Sequence, residues 1–259
     1  MTWPRERVVE ARRLHELGFN GCQISRTLGI PRYTIRDWLD PRKQGQRDAT
    51  AANRFARSCQ RCQRTETSLG PDYVYLLGLY LGDGYIGCHR RGVWRLRIVQ
   101  DQRYAGLILE CRLAMSAVTP TRVSIVRAIG CVEITSYWKH WIHLFPQHGP
   151  GPKWQRTITL QHWQRLLIAA YPAQLLRGLI HSDGCRFINR VKRSVKPGRF
   201  RYYEYPRYMF SNASDDIRIL FTNACELLGV RWTQTTSRVV AVSRRDDVAF
   251  LDTFIGPKR

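Results

Sequence analysis

The chain is short of acid, short of lysine and without any long apolar run. Its 259 residues hold 20 Asp or Glu against 42 Lys or Arg, a formal charge of +22. That excludes a balanced or acidic surface and makes a polyanion the leading partner, nucleic acid first. Only six of the cations are Lys. Arg offers a planar fork matched to phosphate and to guanine edges, although a GC-rich genome would enrich it too. No apolar stretch approaches the length that crosses a bilayer. The opening MTWPRERVVEARRL is charged and helix-like, without the apolar centre of a signal peptide. The cations are spread along the chain rather than gathered on one amphipathic helix, which argues against a membrane surface. The expected setting is the cytoplasm, on the nucleoid of a bacterium. Eight Cys without a signal peptide read as reduced thiols. An apolar share of 44% supports one sizeable core with an appendage, or two modest domains.

Residues 1–41 read as a compact helical unit. RERVVEARRLHELG places Val8, Val9, Ala11, Leu14 and Leu17 at helical spacing and stops at Gly18. A short helix from Gln23 to Leu28 then ends at Gly29. A second begins at Pro31, a favoured first helical position, and buries Ile35, Trp38 and Leu39. Ile24, Leu28, Ile30 and Ile35 would form its small core. This is the helix-turn-helix pattern, with Arg32, Tyr33, Thr34 and Arg36 on the exposed face of the recognition helix. The alternative is a plain helical hairpin for protein contacts. Residues 42–70 read as a basic, polar linker. It contains Cys59 and Cys62 as a CxxC. Zinc needs four ligands, and no second CxxC follows, so zinc there is not favoured; Cys88 and His89 are the nearest further candidates.

From residue 71 the chain reads as two copies of one unit, 71–153 and 154–259. Each starts with an apolar helix that finishes on a carboxylate, Asp83 and Asp183. That is unfavourable at the carbonyl end of a helix unless something positive compensates. Each continues as strand, strand, helix, strand, strand and a short helix, and each closes on Gly-Pro-Lys, at Lys153 and Lys258. In VWRLRIVQ, Trp94, Leu96 and Ile98 alternate with Arg95 and Arg97. GRFRYYEYPRY interleaves Arg199, Arg201 and Arg207 with aromatics. Such cations, fixed on a sheet, suit phosphates and base edges. The bland alternative is a solvated polar strand face.

Leu76-Leu77-Gly78-Leu79-Tyr80-Leu81-Gly82-Asp83-Gly84 and Leu176-Arg177-Gly178-Leu179-Ile180-His181-Ser182-Asp183-Gly184 resemble the nine-residue motif of LAGLIDADG homing endonucleases. They depart from it at the sixth position, where Leu81 and His181 replace the usual Asp. The resemblance covers roughly residues 71–259. It implies an α/β (α+β) fold: two αββαββα halves related by a pseudo-twofold axis, forming a saddle over DNA, with the helix-turn-helix appended. Gly78 and Gly178, lacking Cβ, would let the two motif helices approach closely. Asp83 and Asp183 would then meet and repel unless a divalent cation sat between them; hard oxygen donors suit Mg2+, with Mn2+ as a substitute. For one copy alone, Asp-Gly is also an ordinary turn dipeptide. The resemblance further implies a polar residue late in the second strand, Gln100 and Asn212, and a basic residue near the end of each half, Lys153 and Lys258. Those lysines could equally be exposed turn residues.

The expected activity is site-specific, Mg-dependent cleavage of double-stranded DNA at a long asymmetric site, by a monomer with internal pseudo-symmetry. The alternative is a non-catalytic transcription regulator that joins a LAGLIDADG-like domain to a helix-turn-helix. An RNA-binding splicing helper is a third reading, disfavoured by the helix-turn-helix.

Overall fold

The computed structural model describes residues 5–40, 69–196, 198–256 and 258. The basic linker, Cys59 and Cys62 among it, lies outside the described residues apart from positions 69 and 70. The chain divides into two units, Met1–Cys59 and Gln60–Arg259.

The first unit holds α1 (Arg5–Glu16), α2 (Gly21–Leu28) and α3 (Arg32–Leu39). Asn20 caps α2, accepting from the backbone N–H of Cys22 and Gln23, while the Gln23 side chain accepts from Asn20 N. This reciprocal cap starts α2 at Gly21, two residues before the expected Gln23. Gly29 ends it in the left-handed region at φ 66°. Pro31 is the cap of α3 rather than its first residue, because its ψ of 137° is extended. Ala11, Ile24, Ile30 and Ile35 form the core, with Leu14, Leu28, Trp38 and Leu39 packed on it. Of the apolar residues read at helical spacing, Val9 and, just past the end of α1, Leu17 are exposed. Three short helices have too little interior to cover every apolar position.

The second unit runs α4 (Pro71–Asp83), β1 (Gly84–Cys88), β2 (Trp94–Asp101), α5 (Ala105–Val118), β3 (Val123–Ala128), β4 (Cys131–Trp138) and α6 (Trp141–Leu144). After α7 (His162–Ala170) the order repeats: α8 (Pro172–Asp183), β5 (Gly184–Lys196), β6 (Arg199–Ser211), α9 (Asp215–Leu227), β7 (Thr233–Thr236), β8 (Val239–Val242) and α10 (Arg245–Asp252). The two antiparallel sheets share one topology, β1-β2-β4-β3 and β5-β6-β8-β7. One apolar cluster joins the motif helices, α5, α9 and the inner sheet faces. No described helix is long and apolar enough to cross a membrane.

Two features depart from the sequence reading. α7 went unread because its buried centre is a polar side chain. Gln164 is fully buried and donates to Tyr73 Oη at 2.7 Å, while its carbonyl accepts from Gln147 at 2.6 Å. And β5 and β6, at 13 residues each, are much longer than their counterparts β1 and β2 at 5 and 8.

Candidate functional site

α4 and α8 cross at glycine. A Cβ on Gly78 would lie 2.8 Å from Gly178 Cα, and one on Gly178 would lie 2.9 Å from Gly78 Cα. Real Cβ atoms do not come that close to backbone, so the close approach needs glycine on both helices. Residues 73–81 of α4 and 178–181 of α8 are buried along the seam. Each helix then passes into a strand without a loop, at Asp83-Gly84 and Asp183-Gly184. A Cβ on Gly84 would strike Tyr80 Cα at 2.5 Å, and one on Gly184 would strike Ile180 Cα at 2.7 Å. The Asp-Gly pair is thus a direct hinge from helix to strand, not a loose turn.

The crossing sets the two half-buried carboxylates side by side. A Cβ on Gly82, next to Asp83, would stand 2.9 Å from Asp183 Oδ2. Gln100 Nε2 donates to Asp83 Oδ2 at 3.3 Å, and Asn212 Nδ2 donates to Asp183 Oδ2 at 2.7 Å. Strand register explains why Gln100 and Asn212 correspond although they follow their Asp at different distances. Gly84 pairs with Ile98 and Gly184 with Phe210, and each amide stands two residues further along the chain, Gln100 within β2 and Asn212 just past the end of β6. Asn212 is the more firmly held: its Oδ1 accepts from Ser214 N and its carbonyl from Arg218.

The lysines answer the wrong charge at the helix ends. Lys153 Nζ donates to Gly82 O at 2.9 Å and to Gly84 O at 2.7 Å, and lies 5.1 Å from the Tyr80 ring centre. Lys258 Nζ donates to Ser182 O at 3.1 Å. Each ammonium therefore sits on the last carbonyls of a motif helix, where the helix dipole favours a cation. Neither is an exposed turn residue.

Burial is the largest influence on all four charges. It pushes the Asp83 carboxyl up to about 6, helped by the neighbouring Asp183 charge and opposed by Lys258, Lys153 and Gln100. It also raises Asp183, opposed by the Asn212 hydrogen bond and both lysines. The better hydrogen bond lies on Asp183, so the repulsion within the pair falls on Asp83. Burial lowers Lys153 to about 8 and lowers Lys258, each opposed by both Asp charges.

These residues fit a divalent cation. Two hard carboxylates meet half-buried, with a pKa raised on both, and each amide occupies one oxygen of its Asp, Oδ2 in both halves. Two carboxylates with substrate phosphates and water are a common Mg2+ set. Among the described residues, no group of three or more His, Cys, Asp or Glu is arranged to hold a metal.

The expected strand cations are placed unevenly. Arg95 and Arg97 share the outer face of the first sheet, opposite Leu96 and Ile98, and both are engaged there. Arg95 Nη2 lies 2.5 Å from Glu133 Oε2 and its Nε donates to Thr135; Arg97 Nη1 lies 3.1 Å from Glu133 Oε1. In the second half Arg199 and Arg201 are exposed and Arg207 is half-buried. In the first unit Arg32, Tyr33 and Arg36 are exposed, while Thr34 is half-buried. The sequence reading missed Glu133, Tyr80 and the hinge role of Gly84 and Gly184. It also missed a polar knot across the seam: Tyr75 Oη meets His181 Nδ1 at 2.9 Å, His181 Nε2 meets Ile255 O at 2.8 Å, and Arg177 pairs with Glu110 at 2.7 Å. Gly84 and Gly184 were legible as the motif's ninth position; the others depend on register or helix docking. Six cysteines (22, 88, 111, 131, 185, 225) are free thiols.

No protein-family model and no curated protein matches the chain. Solved structures do. The LAGLIDADG meganuclease I-AabMI, bound to uncleaved DNA, is 14% identical with a TM-score of 0.46, covering 72% of this chain and 83% of that one. I-DmoI in complex with DNA and Mn is 17% identical with a TM-score of 0.44, covering 72% and 97%. The N-terminal LAGLIDADG domain of WhiA is 12% identical with a TM-score of 0.43, covering 73% and 82%.

Proposed function

We propose that this chain is a metal-dependent endonuclease acting on double-stranded DNA at a long asymmetric site, working as a monomer whose halves are related by a pseudo-twofold axis. The observation that carries it is the carboxylate pair at the helix seam, each Asp with its own amide donor and each helix end with its own lysine. Asp83 and Asp183 would hold Mg2+, or Mn2+ in its place. When bound, the ion supplies an activated water and neutralises charge at the leaving oxygen. Gln100 and Asn212 orient the carboxylates. Lys153 and Lys258 offset the helix dipoles and keep positive charge beside the scissile phosphates. The outer strand cations (Arg95, Arg97, Arg199, Arg201, Arg207) track the duplex, and the helix-turn-helix adds a second contact through Arg32, Tyr33, Thr34 and Arg36.

The test starts from duplexes selected by the protein from a random library. The selected DNA should be cut on both strands with Mg2+, and EDTA should stop the reaction. Asp83→Asn and Asp183→Asn should each lower cutting on the order of 10⁴-fold, the scale of losing an essential catalytic group. Binding should be nearly unchanged. A second reading, the non-catalytic regulator, is favoured by one observation: both ammonium groups are turned onto backbone carbonyls. Tight binding with no cutting in Mg2+ or Mn2+ would establish it.

A further inference from the structure

The two site lysines are carried by matching segments that are fastened in different ways. Lys153 and Lys258 each follow Gly-Pro, so Pro150 and Ile255 stand at the same place before their lysine. The backbone matches too: Gly151 and Gly256 both lie in the left-handed region, at φ 75° and 73°. In the first half Arg156 Nη1 donates to the carbonyls of Gly149 at 2.8 Å, Pro150 at 3.3 Å and Gly151 at 2.8 Å. In the second half the carbonyl that corresponds to Pro150, Ile255 O, accepts from His181 Nε2 at 2.8 Å. One backbone oxygen is thus tied down twice, by unlike donors.

His181 is the sixth residue of its motif, where the first half has Leu81, and its partner Tyr75 stands where the second half has Leu175. His181 is buried, and a buried imidazole is costly unless both nitrogens find partners. Burial, and then the Arg177 charge, push it down to about 4, so the ring is neutral and carries one hydrogen. Ile255 O can only accept, which places that hydrogen on Nε2. Nδ1 therefore accepts, and Tyr75 Oη donates to it at 2.9 Å. Glu110 Oε2, 3.2 Å from the same hydroxyl, is held by Arg177 Nη2 at 2.7 Å. Tyr75 lies in α4 and Glu110 in α5, so groups of the first half orient the ring that holds the last segment of the second.

We propose that His181 is the positioning residue for Lys258: through Ile255 O it anchors the segment that carries this lysine and so keeps the ammonium on Ser182 O, while Tyr75 fixes the tautomer and the ring. It stands in the second half for Arg156 in the first. The effect on cutting rests on the nuclease reading; the placement of Lys258 does not, and the two are measured separately.

Placement is read by brief labelling of the full chain with acetic anhydride and mass spectrometry of Lys153 and Lys258. His181→Leu, which installs the first half's residue, should speed labelling of Lys258 roughly 2–10-fold, the factor that one net hydrogen bond supplies, and leave Lys153 unchanged. Arg156→Met should do the reverse. His181→Gln keeps a donor of similar reach and should stay near wild type; Tyr75→Phe, which removes one hydroxyl, should fall between. Cutting is read on supercoiled plasmid carrying the selected site. There His181→Leu should lower kcat for one strand about 10–100-fold, so that nicked circles accumulate, with DNA binding unchanged. Combined with Lys258→Met it should cost nothing further, because both changes remove the same group from its place. Lys258 labelled as in wild type in folded His181→Leu overturns the proposal, as do equal slowing of both strands and losses that add to those of Lys258→Met. If His181→Leu does not fold, Tyr75→Phe set against His181→Gln decides on the same readouts. A wild-type chain that cuts no DNA, with the labelling pattern as expected, supports the positioning role and overturns the nuclease reading.

Discussion

Position 82 is Gly and position 182 is Ser, although the two face each other across one helix seam. Ser182 Oγ donates to the carbonyls of Gly178 and Leu179 at 3.0 Å, and it fills the space that a Cβ on Gly82 would need. The same contrast recurs through the halves. Asn212 binds its Asp at 2.7 Å while Gln100 stands at 3.3 Å. Lys153 has two carbonyl partners and a ring beneath it, whereas Lys258 has one carbonyl. The first sheet is fully backed by β4, and the second extends a free ribbon of β5 and β6 beyond β8. One topology used twice does not give two equal sites: close packing at the helix seam leaves room for one side chain, Ser182, and none at Gly82.

The largest test of this contrast is at the seam. Gly78→Ala and Gly178→Ala push a Cβ into backbone, so each should destabilise the fold by about 2–3 kcal/mol, read as a lower denaturant midpoint. Gly82→Ser should cost about as much, because Ser182 already holds the space. Ser182→Gly should cost under about 1 kcal/mol, the price of a glycine near a helix end. Equal losses from Gly82→Ser and Ser182→Gly would break the comparison.

Next come the amides. Gln100→Ala and Asn212→Ala remove groups that orient the carboxylates, and partners of that kind change activity about 10–100-fold. The better-held Asn212 should give the larger loss of cutting and the larger rise in the Mg2+ concentration required. Equal losses would mean that the distances seen here do not survive DNA binding.

The last test is pH. Asp83 holds its proton up to about pH 6 in the folded chain, against 3.8 ordinarily. Between those values the folded state binds more protons than the unfolded one, so metal-free stability falls as pH rises through the window. Above about pH 6 the penalty is complete; below 3.8 it is absent. Thermal melts in EDTA should show wild type losing ground to Asp83→Asn between pH 4 and 7, and Mg2+ at pH 7 should restore it. A difference between the two that stays constant with pH would show that burial beside Asp183 does not raise the Asp83 carboxyl.

Much of the architecture was legible because it rests on local pattern. The nonapeptides gave both motif helices, their glycines and both Asp. Alternation gave the inner and outer faces of β2. Start and stop residues gave three helices in the first unit, to within two residues. α7 was lost because Gln164 breaks the apolar period, and that residue makes sense only once Tyr73 and Gln147 are beside it. The free length of β5 and β6 was lost because nothing in a basic, aromatic run says where its third strand stops.

The sequence by itself determined that two apolar helices end on Asp-Gly and that each has a glycine where close packing needs one. It also placed a lysine at the end of each half. Those are properties of residue type and spacing along the chain. Only the tertiary structure decided that the two Asp meet, because their pairing needs two helices a hundred residues apart to cross at glycine. It alone showed that each lysine is held by the carbonyls of its own motif helix. It alone matched Gln100 with Asn212, since strand register makes them equivalent while their distances from Asp83 and Asp183 along the chain differ.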